Sequence, residues 1–256
     1  MLRILNILGG FTIGVLDEMG QIVMMFLNAL AWTFRPPLRL LTTIKQMEFV
    51  GVNSLFVVLL TGGFTGGVFT LQSYYGFAQF GAESMVGPVV ALAMTRELGP
   101  VLTSLMVTGR AGSAMAAELG TMRVTEQIDA LYVLACNPVK YLIVPRLIAA
   151  VIMMPLLTGI ANFVGVVGGY LVGVKLLGIS GGLYINRTLE VVTMSDLGNG
   201  LIKAAIFGAI FALVGCYKGF YASGGAEGVG RATTEAVVLG SVLILMSDYL
   251  LTAIMF

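Results

Sequence analysis

Two adjacent opposite charges, Arg96 and Glu97, stand inside a long apolar stretch, and Lys203 and Asp248 stand inside two others. An ionised side chain at the centre of a membrane helix costs roughly 2.5–3.5 kcal/mol on the insertion scale, so such groups turn to the protein interior or a wet cavity. Neighbours on a helix point about 100° apart, so Arg96 and Glu97 require separate partners. At about 1.5 Å rise per residue, Arg96 lies about 18 Å below the outer face, Asp248 about 12 Å and Lys203 about 7 Å. Arg96–Asp248 and Glu97–Lys203 pairs are therefore allowed by depth. Two chemistries are open: ion pairs that fix helix register, or a polar patch in an apolar cavity that receives the headgroup of an anionic amphiphile.

Other chemistries fall away. The 256 residues contain no histidine, so imidazole serves nowhere as base, proton shuttle or metal ligand. Cys136 and Cys216 alone cannot make a thiolate zinc site. Gly178-Ile179-Ser180-Gly181 has the G-x-S-G pattern of intramembrane serine proteases without the base such a serine needs. Asp196 and Asp248 lack the G-x-G-D context of an intramembrane aspartyl protease. No G-x-x-x-x-G-K-[ST] phosphate loop occurs, and the glycines from Gly224 to Gly230 read as a tight turn. No catalytic residue, metal site or cofactor of the chain's own is expected. With 14 basic against 13 acidic residues, bulk charge does not recruit nucleic acid.

The elements that hold these charges are membrane helices. Hydrophobic residues make up 58% and charged residues 11%, and the mean hydropathy is +0.97, which places the chain among all-α integral membrane proteins. A span needs about 20 apolar residues. The pattern predicts spans near 50–72, 84–109, 141–173, 199–221 and 232–255. The second can continue through the small residues Ala111 to Gly120. Tyr74 and Tyr75 suit an interfacial aromatic belt. Pro145 starts the third span and Pro155 kinks it. Segment 174–198 reads as polar, and Thr125 as the cap of a short helix.

Residues 1–47 read as an interfacial helix, with Leu2, Ile4, Leu5, Leu8 and Phe11 on one face. The uncharged run 19–34 is short for a span, and a sixth crossing is the alternative. Ala29-Leu30-Ala31 mimics a signal-peptide cleavage site, but Asp17 and Glu18 interrupt the apolar region. The organisation is thus an N-terminal segment, 1–47, and a five-helix membrane domain, 48–256. Arg3, Arg35, Arg39, Lys45, Arg123, Lys140, Lys218 and Arg231 fall on one side, against Lys175, Arg187 and Lys203 on the other. The positive-inside rule then puts the N-terminus in the cytoplasm and the C-terminus outside.

Two further patterns bear on assembly. Gly62, Gly63, Gly66 and Gly67, and again Gly165, Gly169 and Gly173, line helix faces at four-residue spacing. Such faces let backbones approach closely, within one chain or across a dimer seam. Segment 121–140 is amphipathic: Glu126, Gln127 and Asp129 offer acceptors beside Ile128, Ala130 and Leu131. It is either a solvated loop or a helix on which a soluble partner docks. Pro145 follows Glu126 by 19 residues, the spacing of the ATPase-docking loop of bacterial ABC importers, although Tyr132 stands where that loop has glycine.

Three blocks carry a resemblance: RELGPVLTSLMVTGRAGSAMAAELGTMRVTEQIDAL (96–131), NPVKYLIVPR (137–146) and GVGRATTEAVV (228–238). They are similar to the MlaE family of ABC permeases, and the likeness runs from about residue 45 to the end. It implies a homodimer, each subunit an MlaE-type permease fold of one interfacial helix and five transmembrane helices, in the bacterial inner membrane. It implies an MlaF-like ATPase, carrying the ATP and Mg, docked on a coupling helix at about 121–133 with Arg123, Glu126, Gln127, Asp129 and Leu131. It further implies a hexameric MlaD-like MCE ring on the periplasmic side and an MlaB-like STAS protein on the ATPase. Phospholipid would occupy a pocket at the dimer interface near Arg96, Glu97, Lys203 and Asp248. Segment 174–198 shows no family signature. Two other classes compete: an ion-coupled secondary carrier, for which Glu97 is the titratable carboxylate, and a non-transporting scaffold for a periplasmic partner.

Overall fold

The computed structural model describes residues 2–33, 35–36 and 39–255, with the side chains of residues 2–11 and Val15 outside that description. The apolar face drawn from Leu2, Ile4, Leu5, Leu8 and Phe11 therefore lies outside the described side chains. The described residues are helices joined by short linkers, with no strand among them. The runs are α1 (Leu2–Thr33), α2 (Leu40–Ala78), α3 (Glu83–Val124), α4 (Gln127–Val133), α5 (Val139–Leu176), α6 (Gly181–Val191), α7 (Met194–Phe220) and α8 (Gly225–Met255). A membrane offers backbone groups no water, so helices that satisfy themselves internally are the natural outcome.

Among the described residues six stretches are long and apolar enough to cross a membrane, one more than the five expected, because Thr12–Thr33 of α1 qualifies by length and composition. The contacts that described residues of α1 make lie at one end of the bundle. Glu18 pairs with Lys218 near the end of α7, and Tyr217 donates to Gln21 Oε1 at 2.9 Å. Lys140, at the start of α5, sits 5.3 Å from the Trp32 ring centre and donates to Pro36 O. From Glu18 to Trp32 a helix advances about 21 Å, yet both ends meet the same level of the bundle.

The central helix is α7. Its buried Gly200, Lys203, Ala204, Phe207, Gly208 and Phe211 recur at three- and four-residue spacing, a continuous inward stripe. By contrast α8 is apolar and mostly uncovered: Val238, Val242, Leu245, Met246, Tyr249, Leu250 and Ile254 are exposed. Lipid or another membrane protein can cover such a face, since water is not its solvent.

Three expectations need correction. The segment 223–235 is a turn only at its start: Gly224 and Gly225 take left-handed φ of 93° and 69°, and α8 begins at Gly225. Segment 174–198 contains α6, in which Tyr184 and Thr188 face inward while Leu183, Ile185, Leu189 and Val191 are exposed beside its polar residues. Thr125 does not cap α4; its hydroxyl donates back to Thr121 O, and Glu126 precedes α4 in a left-handed conformation with φ 60°.

Candidate functional site

Three of the four intramembrane charges, Glu97, Lys203 and Asp248, converge where α3, α7 and α8 meet, and Arg96 turns towards the start of α7. Lys203 is fully buried. Its ammonium donates to both oxygens of Glu97 at 2.9 Å, to Asp248 Oδ1 at 3.1 Å and to Thr252 Oγ1 at 2.7 Å. The Arg96 carbonyl lies 3.3 Å away. The Glu97–Lys203 pair allowed by depth is present. Arg96 pairs with Asp196 instead of Asp248: Nε donates at 2.8 Å and Nη2 lies 2.6 Å from the same Oδ1. Taking an ammonium out of water costs several kcal/mol, and two carboxylates with a hydroxyl and a carbonyl around it offset that cost.

Local backbone places these groups. Met94–Leu98 forms a π turn within α3. The extra residue per turn shifts side-chain direction, and such bulges recur at functional sites. It sends Arg96 to the start of α7 and Glu97 deeper along it. Glycines on α7 and on α3 itself allow the close approach: a Cβ on Gly200 would overlap Thr95 O, and one on Gly99 would overlap the Asn162 amide. Asp196 is held by its own helix end, since Thr193 N and Oγ1 donate to its Oδ2 at 2.9 and 2.8 Å. This capping box fixes the carboxylate that receives Arg96.

Exposure divides the layer. Lys203 and Asp196 side chains are 0% and 4% exposed, whereas Arg96, Glu97 and Asp248 are 39%, 36% and 20%. Exposed Leu245, Met246, Tyr249 and Leu250 surround Asp248 in the sequence of α8. The layer is thus a charged floor beside apolar wall, a geometry that suits an amphiphile.

The other end of the bundle carries α4. Ile128 is fully buried and anchors it, while Glu126, Gln127 and Asp129 are exposed. Arg123, at the end of α3, pairs with Asp129, and Leu131 packs half-buried on the core. Tyr132, Val133 and Leu134 are 56%, 87% and 70% exposed, an apolar tip that the sequence reading did not single out. At the same end a polar cleft of about 470 Å³ lies between α1, α7 and α8, lined by Asp17, Glu18, Lys218, Arg231 and Glu235.

The glycine faces meet inside the chain. A Cβ on Gly62 would lie 2.9 Å from Ala161 O, and one on Gly66 would overlap the Gly165 carbonyl. Gly169 faces Thr70, Val90 and Tyr184. These glycines bring α2 and α5 into backbone contact, a packing mode that membranes favour.

Four polar residues escaped the sequence reading. Asp196 was weighed only as a protease residue, although Thr193-Met194-Ser195-Asp196 is a readable capping pattern. Arg110 lies in a second π turn, Thr108–Gly112, and reaches Phe49 O and Ser54 Oγ on α2. Arg146 is buried and spans from Glu118 on α3 to Leu142 O. Asn162 is buried behind the first π turn. Among the described residues no three His, Cys, Asp or Glu side chains gather as a metal site would require.

Known proteins give this architecture a lineage. The family described as Permease MlaE matches residues 43–254. A probable ABC transporter permease protein of Rickettsia bellii is 49% identical over 256 residues, covering 100% of this chain and 99% of its own length. The intermembrane phospholipid transport system permease protein MlaE of Haemophilus influenzae is 42% identical over 214 residues, 83% of this chain and 82% of its own. The chloroplastic protein TRIGALACTOSYLDIACYLGLYCEROL 1 of Arabidopsis thaliana is also 42% identical, over 84% of this chain and 61% of its own. A family match across most of the chain and a full-length relative near half identity agree with the all-helical membrane architecture: the chain belongs to the MlaE family of ABC transporter permeases.

Proposed function

We propose that this permease moves phospholipid between the inner membrane and the periplasmic or outer-membrane side. It works as a homodimer, with a separate MlaF-like ATPase and an MlaD-like MCE hexamer, and with an MlaB-like STAS protein on the ATPase. The single observation that carries this reading is the partly exposed pair Glu97 and Asp248 around buried Lys203, with Arg96 on Asp196 nearer the start of α7, beside an apolar helix face. Tails gain from the apolar wall, and the headgroup meets the charges. The chain is non-catalytic; ATP and Mg belong to the ATPase.

The end holding Arg35, Arg39, Lys45, Arg123, Lys140, Lys218 and Arg231 is cytoplasmic by the positive-inside rule. There α4 is the coupling helix, offering Gln127, Leu131 and the Arg123–Asp129 pair beside its apolar tip. α1 lies in the interface at that end, which its one-sided contacts support, and the C-terminus is periplasmic. Closure of the ATPase dimer pushes on α4 and switches the cavity between two packed arrangements.

Transfer of labelled phospholipid by the reconstituted complex tests the proposal. ATP-dependent transfer is the expected result. Transfer driven by an ion gradient alone would favour the secondary carrier, and none under either condition would favour the scaffold. Charge reversal at Glu126 and Asp129 is expected to release the ATPase; its co-purification at unchanged yield would remove α4 from the coupling role.

A further inference from the structure

We propose that the cytoplasmic part of the bundle bends about one level, where α2, α3 and α5 each depart from regular α-helix, with Arg110 as the pin between two of the breaks. The proposal rests on the reading that an ATPase drives α4, and it locates where that push becomes movement.

α2 carries a 3₁₀ turn at Val52–Ser54, α3 a π turn at Thr108–Gly112, and α5 holds Pro155 in its interior. Contacts put the three at one depth. Arg110 Nη1 donates to Phe49 O and, at 3.1 Å, to Ser54 Oγ, and its guanidinium lies 4.9 Å from the Phe49 ring centre. A Cβ on Gly51 of α2 would overlap Met153 Cε of α5, two residues before Pro155. Short 3₁₀ and π turns inside helices mark hinges and functional sites, and helices kink at prolines and glycine–serine pairs. Gly112-Ser113 is such a pair at the end of the π turn. The other π turn of α3, Met94–Leu98, is followed by Pro100, whose ring fixes its backbone. Thr108–Gly112 has two glycines and no proline.

α7 and α8 run as unbroken α-helix past this level. They turn glycine towards the bending helices. Gly215 of α7 lies against Gly112 O, Gly208 against Ala150 O of α5, and Gly240 of α8 against the Thr108 side chain. Glycine raises no ridge for a neighbour to climb, so α3 and α5 can flex along a straight wall. Below the bend, Arg123 ties α3 to Asp129 of α4, and Glu118 ties α3 to Arg146 of α5. Force on α4 thus reaches α3 and α5 together. Above the bend stands Glu97 with Lys203.

Alanine at Gly109 and Gly112 tests the hinge. A Cβ on Gly109 meets nothing within 4 Å, and one on Gly112 meets Phe211 and Thr108 at an ordinary 3.5 Å. Neither glycine has positive φ, so alanine stiffens the helix without crowding it. ATP-driven transfer of labelled phospholipid by the reconstituted complex is measured beside thermal unfolding and ATPase co-purification. The double variant Gly109→Ala, Gly112→Ala is expected to slow transfer about tenfold, and Gly109→Ala alone about threefold, the leverage of two such increments or one on a bending equilibrium. Thermal stability is expected to hold or rise, with the ATPase still attached. Gly76→Ala, at an equally open glycine of α2 away from the bend, is expected to leave transfer unchanged. Undiminished transfer by both hinge variants, from a preparation whose parent transfers lipid, would overturn the hinge. So would a loss that only follows falling thermal stability. A parent complex without ATP-driven transfer would instead overturn the reading beneath it.

Discussion

Two lysines on α7 are each gripped by two carboxylates, and they mean different things. Lys203 binds Glu97 of α3 and Asp248 of α8 at 0% exposure. Lys218, four helical turns further on, binds Glu18 of α1 and Glu235 of α8 at 16% exposure, with Arg231 adding a second cation to Glu235. In the first triad the cation itself is sealed, so removing it strands two carboxylates within the span. The second lies at the bundle end beside a polar cleft, where water and salt substitute for a lost partner. Similar bonds therefore fix the interior of the bundle in one place and fasten a peripheral helix in the other.

The sharpest way to break this comparison is to remove each lysine in turn. Lys203→Met leaves Glu97 and Asp248 without their buried cation and is expected to cost about 3–5 kcal/mol, read as a loss of thermally stable, monodisperse protein in detergent. Adding Glu97→Gln and Asp248→Asn should restore most of it, because the charges then disappear together. If Lys203→Met unfolds no earlier than the parent chain, the layer is better hydrated than its burial indicates.

Gly200→Ala probes the same region without touching a charge. Its Cβ would meet Thr95 O, so α7 must move off α3, at about 1–3 kcal/mol for an overpacked contact. Thermal unfolding measures it, and a neutral result would mean the π turn yields easily.

Lys218→Met is the milder counterpart, expected at about 1 kcal/mol or less. Its signature is easier protease cleavage within α1, an effect that 1 M salt added to the parent chain should mimic in part. Salt should leave the stability supplied by Lys203 nearly unchanged. Equal salt sensitivity at both lysines would erase the distinction.

Much of this was readable from residues. Long apolar stretches mark the five main spans, and Glu97 and Lys203 could be matched by depth. The partner of Arg96 could not. Depth counting assumes an unbroken α-helix, and the π turn at Met94–Leu98 rotates the chain locally, bringing Arg96 to Asp196. The start of α8 was hidden because glycine argues against helix, yet here Gly228 is needed, since a Cβ would overlap Ser223 O. α6 was missed because it is short and only Tyr184 and Thr188 of its residues are buried. Val133 and Leu134 carry no signal in the sequence, since apolar residues at the end of a short helix read as buried, and their exposure follows from Ile128 being the residue that points inward.

The central claim, that the charged layer on α3, α7 and α8 holds a lipid headgroup, is tested most directly by native mass spectrometry of the purified complex with and without Arg96→Ala. The account predicts bound phospholipid on the parent complex, most of it lost in the variant, with the ATPase subunit still attached in both. Undiminished phospholipid on the variant would contradict it and leave Arg96, Glu97, Lys203 and Asp248 as pairs that only set helix register.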